Sequence, residues 1–188
     1  MRRKRGNGVK VVLIKGKLVD LCVLDPQDDL TAYERWVNNE ETTQYMAIGR
    51  YPLTARMLVD YIKKYNSSND FLLGIFLKID GRHIGNITLH YIDTQNKSAE
   101  IGILIGEKDC RGRGYGHEAV AILAAHAFRK LGIHKLTTGM VDGNIASQRM
   151  FEKVGFKQEG RLRESFFLNG HYYDSLRYGL LFSELKEG

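Results

Sequence analysis

The sequence predicts a mixed α/β fold, with a largely antiparallel central sheet of about seven strands flanked by helices. Three observations carry this. Between residues 71 and 105, three runs rich in β-branched and aromatic residues are separated by short polar turns, which reads as a meander. From 99 to 141 the period changes to strand, glycine loop, long helix, strand, a unit that makes its two strands parallel. At the end, two apolar runs flank Asn169-Gly170, the dipeptide that a two-residue hairpin prefers.

The elements follow in order. Residues 17–24 alternate loosely and stop at Asp25-Pro26, where aspartate suits a helix cap and proline a first turn. A helix then carries Leu30, Tyr33, Trp36 and Val37 at helical spacing, and a second begins near Thr54 with Met57, Leu58, Tyr61 and Ile62. Strands are expected at Phe71–Ile79, ending in Asp80-Gly81, at His83–Ile92 and at Ala99–Ile105. The long helix holds Ala119, Val120, Leu123, Ala127 and Leu131; a strand at 134–141, a helix at 144–154 and the closing hairpin complete the chain. No repeat divides it, so residues 9–188 read as a single domain after a basic, flexible tail at 1–8 that contains Arg2-Arg3-Lys4-Arg5.

At 188 residues, 43 % hydrophobic and 27 % charged, the composition is that of a folded domain able to bury a core without staples. Cys22 and Cys110 are too few for a disulfide framework and lack zinc-ligand spacing, which points to reduced thiols and a cytoplasmic protein. The six histidines show no ligand pattern, so no metal is expected. The apolar run Val9–Ile14 is short for a signal peptide and no stretch is long enough to span a membrane. The net charge of +6 tilts toward anionic ligands. Without an interleaved aromatic–basic pattern it does not point to nucleic acid.

Cys110-Arg111-Gly112-Arg113-Gly114-Tyr115-Gly116 stands between a strand and a helix. Glycines there let several backbone N–H groups converge, and the helix start and two arginines add positive charge, which suits a pyrophosphate. A dinucleotide fingerprint fails because His117 stands where its third glycine is needed, a Walker loop lacks Gly-Lys-Ser/Thr, and His117-Glu118 has Ala121 in place of a second zinc histidine. A tight turn with solvated arginines is the plain alternative.

Arg111-Gly112-Arg113-Gly114-Tyr115-Gly116 after Ala99-Glu100-Ile101, followed by Asn144-Ile145-Ala146-Ser147 through Phe151-Glu152-Lys153-Val154-Gly155-Phe156, resembles the acetyl-CoA core of the GNAT superfamily of N-acetyltransferases. The ending, Glu159-Gly160-Arg161-Leu162-Arg163-Glu164 and Asn169-Gly170-His171-Tyr172-Tyr173-Asp174, is similar to the RimJ/RimL-like branch. The resemblance implies an acyltransferase with acetyl-CoA as co-substrate, moving the acetyl group directly to a primary amine. The cofactor arm would pair with the backbone of Ile103, Leu104 and Ile105, the pyrophosphate would sit on the amides of Arg111, Gly112, Arg113, Gly114, Tyr115 and Gly116, and Asn144 and Phe151 would touch the arm. Asparagine at 144 equally suits a helix N-cap.

By the same resemblance Glu100 is the candidate base; in an apolar strand its pKa is expected to be raised. Glu164 is a second acid, able to reach the acceptor pocket. The family's tyrosine acid is replaced here by Phe151, which leaves Ser147 to assist the departing thiolate. The missing tyrosine also raises an alternative, a CoA-binding regulatory module without catalysis. Cys110 reads as a packed residue, not a nucleophile. Tyr33, Trp36, Tyr45, Met46 and Tyr51 fall where the family lines its acceptor side, though core packing explains them as well. Peptide α-amines, small-molecule amines, nucleotide-linked amino sugars and polyamines all remain as acceptors, the positive net charge weighing against polyamines. Self-association into a homodimer is implied by analogy with relatives.

Overall fold

The computed structural model describes residues 10–46, 48–49 and 51–186, so the tail expected at 1–8 lies outside the described residues. Thirteen regular elements are β1 (Val12–Lys15), β2 (Val19–Val23), α1 (Thr31–Val37), α2 (Glu40–Thr43), α3 (Ala55–Asn66), β3 (Phe71–Leu77), β4 (His83–Asp93), β5 (Ser98–Ile105), α4 (Tyr115–Leu131), β6 (Lys135–Val141), α5 (Ile145–Val154), β7 (Lys157–Leu168) and β8 (His171–Leu181). They build one eight-stranded sheet in the order β1-β2-β3-β4-β5-β6-β8-β7, antiparallel except where β5 meets β6. The expected architecture holds, with one strand more than the sequence reading counted. The extra strand is β1, a short and largely exposed edge. Its apolar residues run consecutively without alternation, so neither strand nor helix period marks them.

Local chemistry explains most boundaries. Thr54 Oγ1 accepts from Met57 N and starts α3; Asn144 Oδ1 accepts from Ser147 N and starts α5. At the last hairpin Asn169 and Gly170 both take positive φ, 49° and 81°, as the tight turn requires. Asp25 does not cap a helix. Its carboxylate accepts from Gln27 N and its carbonyl from Asp28 N, so Asp25-Pro26 makes a turn and α1 begins only at Thr31. A short side chain that bonds its own backbone competes with helix initiation. The short α2, capped by Asn39, carries no apolar stripe and was invisible to periodicity.

The two faces of the sheet bury separate clusters. On one face α4 inserts Ala119, Val120, Leu123 and Ala127 against Ile87, Leu89 and Ile101. The other is covered by α1 and α3, whose Tyr33, Trp36, Leu58 and Ile62 pack with Leu72 and Phe76. Glu118, near the start of α4, accepts from the amides of Lys17, Leu18 and Val19 at 2.7–2.9 Å, so the β1–β2 turn is tied to the helix that opens the glycine loop.

The parallel pairing of β5 and β6 decides where a ligand can go. It covers only Ser98–Lys135, Ala99–Leu136 and Glu100–Thr137. Beyond Glu100 the strands part: β5 stays on β4 as far as Ile105, and β6 stays on β8 as far as Val141. A sheet that splits in its middle leaves one edge of β5 with unpaired backbone groups.

Candidate active site

The split opens into a cavity of about 450 Å³. One wall is the separated strands themselves, with Gly102, Ile103 and Leu104 on β5 and Thr138 to Val141 on β6. Asn144, the N-cap of α5, and Ser147 and Phe151 on that helix also line it. Asn144 is a helix cap and a cavity residue at once. Phe151 is buried against Phe156, ring centroids 5.0 Å apart, and presents only carbon to the cavity.

The glycine loop lies outside this cavity, at the far end of β5. Gly112 and Gly114 adopt φ of 73° and 87°, and Gly114 caps α4 without any side chain on the first-turn amides. Those donors, at the start of a 17-residue helix, suit an anion. Gly116 is glycine for another reason: a Cβ there would come within 2.9 Å of Met150 Sδ, so it allows α4 to approach α5. Arg111 differs from a free phosphate ligand. Its guanidinium donates to the Ile105 carbonyl and to Thr42 Oγ1 and faces Glu41, which fastens the end of β5 to α2. Arg113 is exposed.

Glu100 lines the cavity at the point where the strands separate. Its Oε2 lies 3.2 Å from Arg177 Nη1 and its Oε1 3.7 Å from His90 Nε2. Gly139, paired with Arg177 across β6 and β8, makes this possible, because a Cβ there would stand 2.8 Å from the same guanidinium nitrogen. The expected rise in the Glu100 pKa is therefore overturned. Contact with the His90 imidazole lowers it, burial opposes, and the Arg177 charge lowers it further. Since the folded value lies below the unfolded one, the carboxylate contributes stability that is complete above the ordinary glutamate value, about 4.3, and is lost as pH falls through the depressed value. Acid melts followed by circular dichroism should show Glu100→Gln losing less stability than the parent below about pH 4. Parallel losses would mean that the pairing does not form.

Sequence reasoning missed His90 and Arg177. Either could have been found only from register: His90 pairs with Glu100 across β4 and β5, so the two face the same side. Glu164 is displaced from the role suggested for it. It sits in an irregular stretch of β7 at φ 49°, exposed, with its amide donating to Asp174, and it is not a cavity residue. The cavity also collects Tyr33, Tyr45 and Met46, and Tyr61 and Tyr65 from α3. Burial holds the Tyr33 and Tyr65 phenols well above their usual range. Trp36 is core, and Tyr51 is 79 % exposed. Both cysteines are buried and free, and burial raises the Cys110 thiol. Among the described residues no group of three or more His, Cys, Asp or Glu could hold a metal, and no helix is long and apolar enough to cross a membrane.

A strand edge open to an extended arm, followed by an uncapped glycine-rich helix start, fits acetyl-CoA. A family model described as an acetyltransferase (GNAT) domain matches residues 21–157. The chain belongs to the GNAT family. Within it, the putative ribosomal N-acetyltransferase YdaF of Bacillus subtilis is 28 % identical over 169 residues, 87 % of this chain and 91 % of the relative. A Vibrio cholerae spermidine N-acetyltransferase, solved with CoA and spermine, superposes with TM-score 0.81 at 26 % identity, covering 89 % of this chain and 97 % of that one. Mycobacterium smegmatis RimJ, solved with CoA-disulfide, shares the fold with TM-score 0.80 at 19 % identity, covering 90 % and 85 %. This GNAT chain is an N-acetyltransferase that uses acetyl-CoA as co-substrate and an amine as acceptor.

Proposed function

We propose that this GNAT enzyme acts in the manner of the RimJ/RimL-like branch, on the α-amine of a peptide or protein. The observation that carries this reading is the charge balance of the acceptor side. Among the described cavity residues Glu100 is the one carboxylate, and Arg177 and His90 already face it. A polyamine presents two or more ammonium groups and finds no second anion there, whereas a single amine on an apolar or aromatic chain finds Tyr33, Tyr61, Tyr65 and Leu72. The 26 % identical spermidine enzyme keeps polyamines as the competing acceptor.

In this reading acetyl-CoA supplies an activated thioester. Ile103, Leu104 and Ile105 offer backbone groups to its arm, the amides from Arg111 to Gly116 hold its pyrophosphate, and Asn144 and Phe151 border the arm. A β5 amide facing the split serves the thioester carbonyl as a hydrogen-bond donor. Ser147, half-buried in the first turn of α5, hydrogen-bonds the departing sulfur in place of the absent tyrosine. The amine loses its proton at the Glu100 end of the cavity.

Two free, buried cysteines support a reducing, cytoplasmic setting. The exposed Leu162, Phe167 and Tyr172 on the β7–β8 hairpin support pairing of two copies. Thiol release from acetyl-CoA across peptides with free N-termini, spermidine, aminoglycosides and nucleotide amino sugars tests the acceptor. Peptide amines should lead by at least tenfold in kcat/KM. A lead for spermidine would overturn the charge argument, and CoA binding without turnover of any amine would favour a regulatory module.

A further inference from the structure

Activating a primary amine requires a group able to take a proton from an ammonium, whose pKa is about 8 for a peptide α-amine and about 10 for an alkyl amine, and the best such group titrates close to the working pH. Glu100 stands where a base is wanted, but two groups on one side of it argue against that use. The Arg177 guanidinium lies 3.2 Å from one of its oxygens, and the His90 imidazole faces the other. A carboxylate stabilised in this way holds a proton weakly, and the direction of its pKa shift agrees.

The imidazole is better placed. His90 lines the cavity, and its side chain is 21 % exposed. Its Cε1 lies 3.4 Å from the point that a Cβ on Gly102 would occupy, so the ring rests over the second residue of β5 beyond the last β5–β6 pair. The absence of a side chain at 102 makes room for Thr88, whose Oγ1 would stand 2.8 Å from a Cβ there. Thr88, the neighbouring residue on the same face of β4, donates to the Gly102 carbonyl at 3.3 Å and holds that part of β5 in place. The charged and titratable groups around the ring are Glu100 on β5, Arg177 on β8 behind it, Tyr91 with ring centroid at 4.7 Å, and the Tyr33, Tyr61 and Tyr65 phenols across the cavity.

We propose that His90 is the proton acceptor of the reaction and that Glu100, itself held by Arg177, is the positioning residue that orients the imidazole and stabilises its cation. This rests on the enzyme's acetylating an amine and is independent of which amine it is. With Nε2–H turned toward Glu100, the Nδ1 lone pair takes one proton from the acceptor ammonium. The freed nitrogen pair forms the new C–N bond to the thioester carbonyl carbon while the C–S bond breaks and its pair leaves on sulfur. The second nitrogen proton goes to that sulfur past Ser147, and His90 returns its own proton to solvent. The products are the amide, the free thiol and one proton. The arrangement has the logic of a nucleophile–base–orienter triad with the acceptor amine as nucleophile.

The test uses the full chain and whichever amine of the panel is turned over fastest, so that a wrong acceptor assignment does not disturb it. His90→Gln should lower kcat/KM by 100-fold or more and abolish the acid limb of its pH profile, with CoA affinity and melting temperature unchanged. Added imidazole should restore part of the rate to His90→Gly. Glu100→Gln should cost less and keep the limb. The reverse pattern, in which Glu100→Gln removes the limb and His90→Gln costs under fivefold, overturns the proposal in favour of Glu100. A His90→Gln protein that loses CoA affinity or stability together with rate, and a His90→Gly protein that imidazole does not restore, overturn it in favour of a structural role.

Discussion

Trp36→Ala is expected to lower stability by about 3–5 kcal/mol, the range for removing a fully buried tryptophan. At this chain length that moves the melting midpoint down by roughly 10–15 °C. Trp36 is 2 % exposed and lies between α1 and the end of the sheet. Its ring meets His83 edge-on at 4.9 Å, and its indole N–H donates to Glu107 at 3.0 Å. The fit is close enough to dictate a glycine elsewhere: a Cβ on Gly106 would fall 2.0 Å from Trp36 Cδ2. Removing the ring leaves a void beside Gly106 and Glu107, the segment that carries the chain from β5 toward the glycine loop. CoA affinity should therefore fall with stability, while Trp36→Phe, which keeps most of the packing and loses the hydrogen bond, should fall between the two. Thermal melts by circular dichroism decide this, since the chain's single tryptophan is the residue removed. A loss below 1 kcal/mol would mean that the helical layer is not tied to the sheet in this way.

Gly114→Val should weaken CoA binding by about 10- to 100-fold, with a melting midpoint only a few degrees lower. A Cβ at 114 would meet nothing within 4 Å, so the cost is entirely conformational. At φ 87° a β-branched residue is strained by about 1–3 kcal/mol. The loop either carries that strain or relaxes, and relaxation turns the first amides of α4 away from a common point. Gly81→Val supplies the control: φ is 70°, the space is equally open, and the site is the β3–β4 hairpin. It should cost comparable stability and leave CoA affinity within twofold, by calorimetric titration. Equal losses of affinity in both variants would show that the loop acts only through global stability.

Much of the glycine loop and of the start of α5 was legible because each is local. The glycine loop with the helix it opens, and separately the Asn144 cap, are each short stretches of sequence, and their geometry follows from backbone freedom and hydrogen bonding within a few residues. The rest of the cavity is assembled from α1, α3, β4 and β8, and the sequence held no record of which of their residues would meet. Tyr33 and Trp36 share one helical stripe, yet one reaches the cavity and the other lies in the core. Glu164 matched a pattern but landed on an exposed irregular stretch of β7. Glu100 was identified, but the sign of its pKa shift was not, because the sign depends on His90 and Arg177, ten and 77 residues away in the chain.

By itself, then, the sequence determined the order of most elements, the mixed sheet, the glycine-rich helix start and the family to which they belong. Each of these depends on short-range periodicity, turn chemistry and spacing. The tertiary structure alone decided where β5 leaves β6, which face of β4 looks onto the cavity, and that the cavity carboxylate Glu100 is shared between a guanidinium and an imidazole. Those outcomes depend on strand register and on room left for Arg177 by the glycine at 139. Register is set by burial on both faces at once, a condition that no single segment of the chain contains.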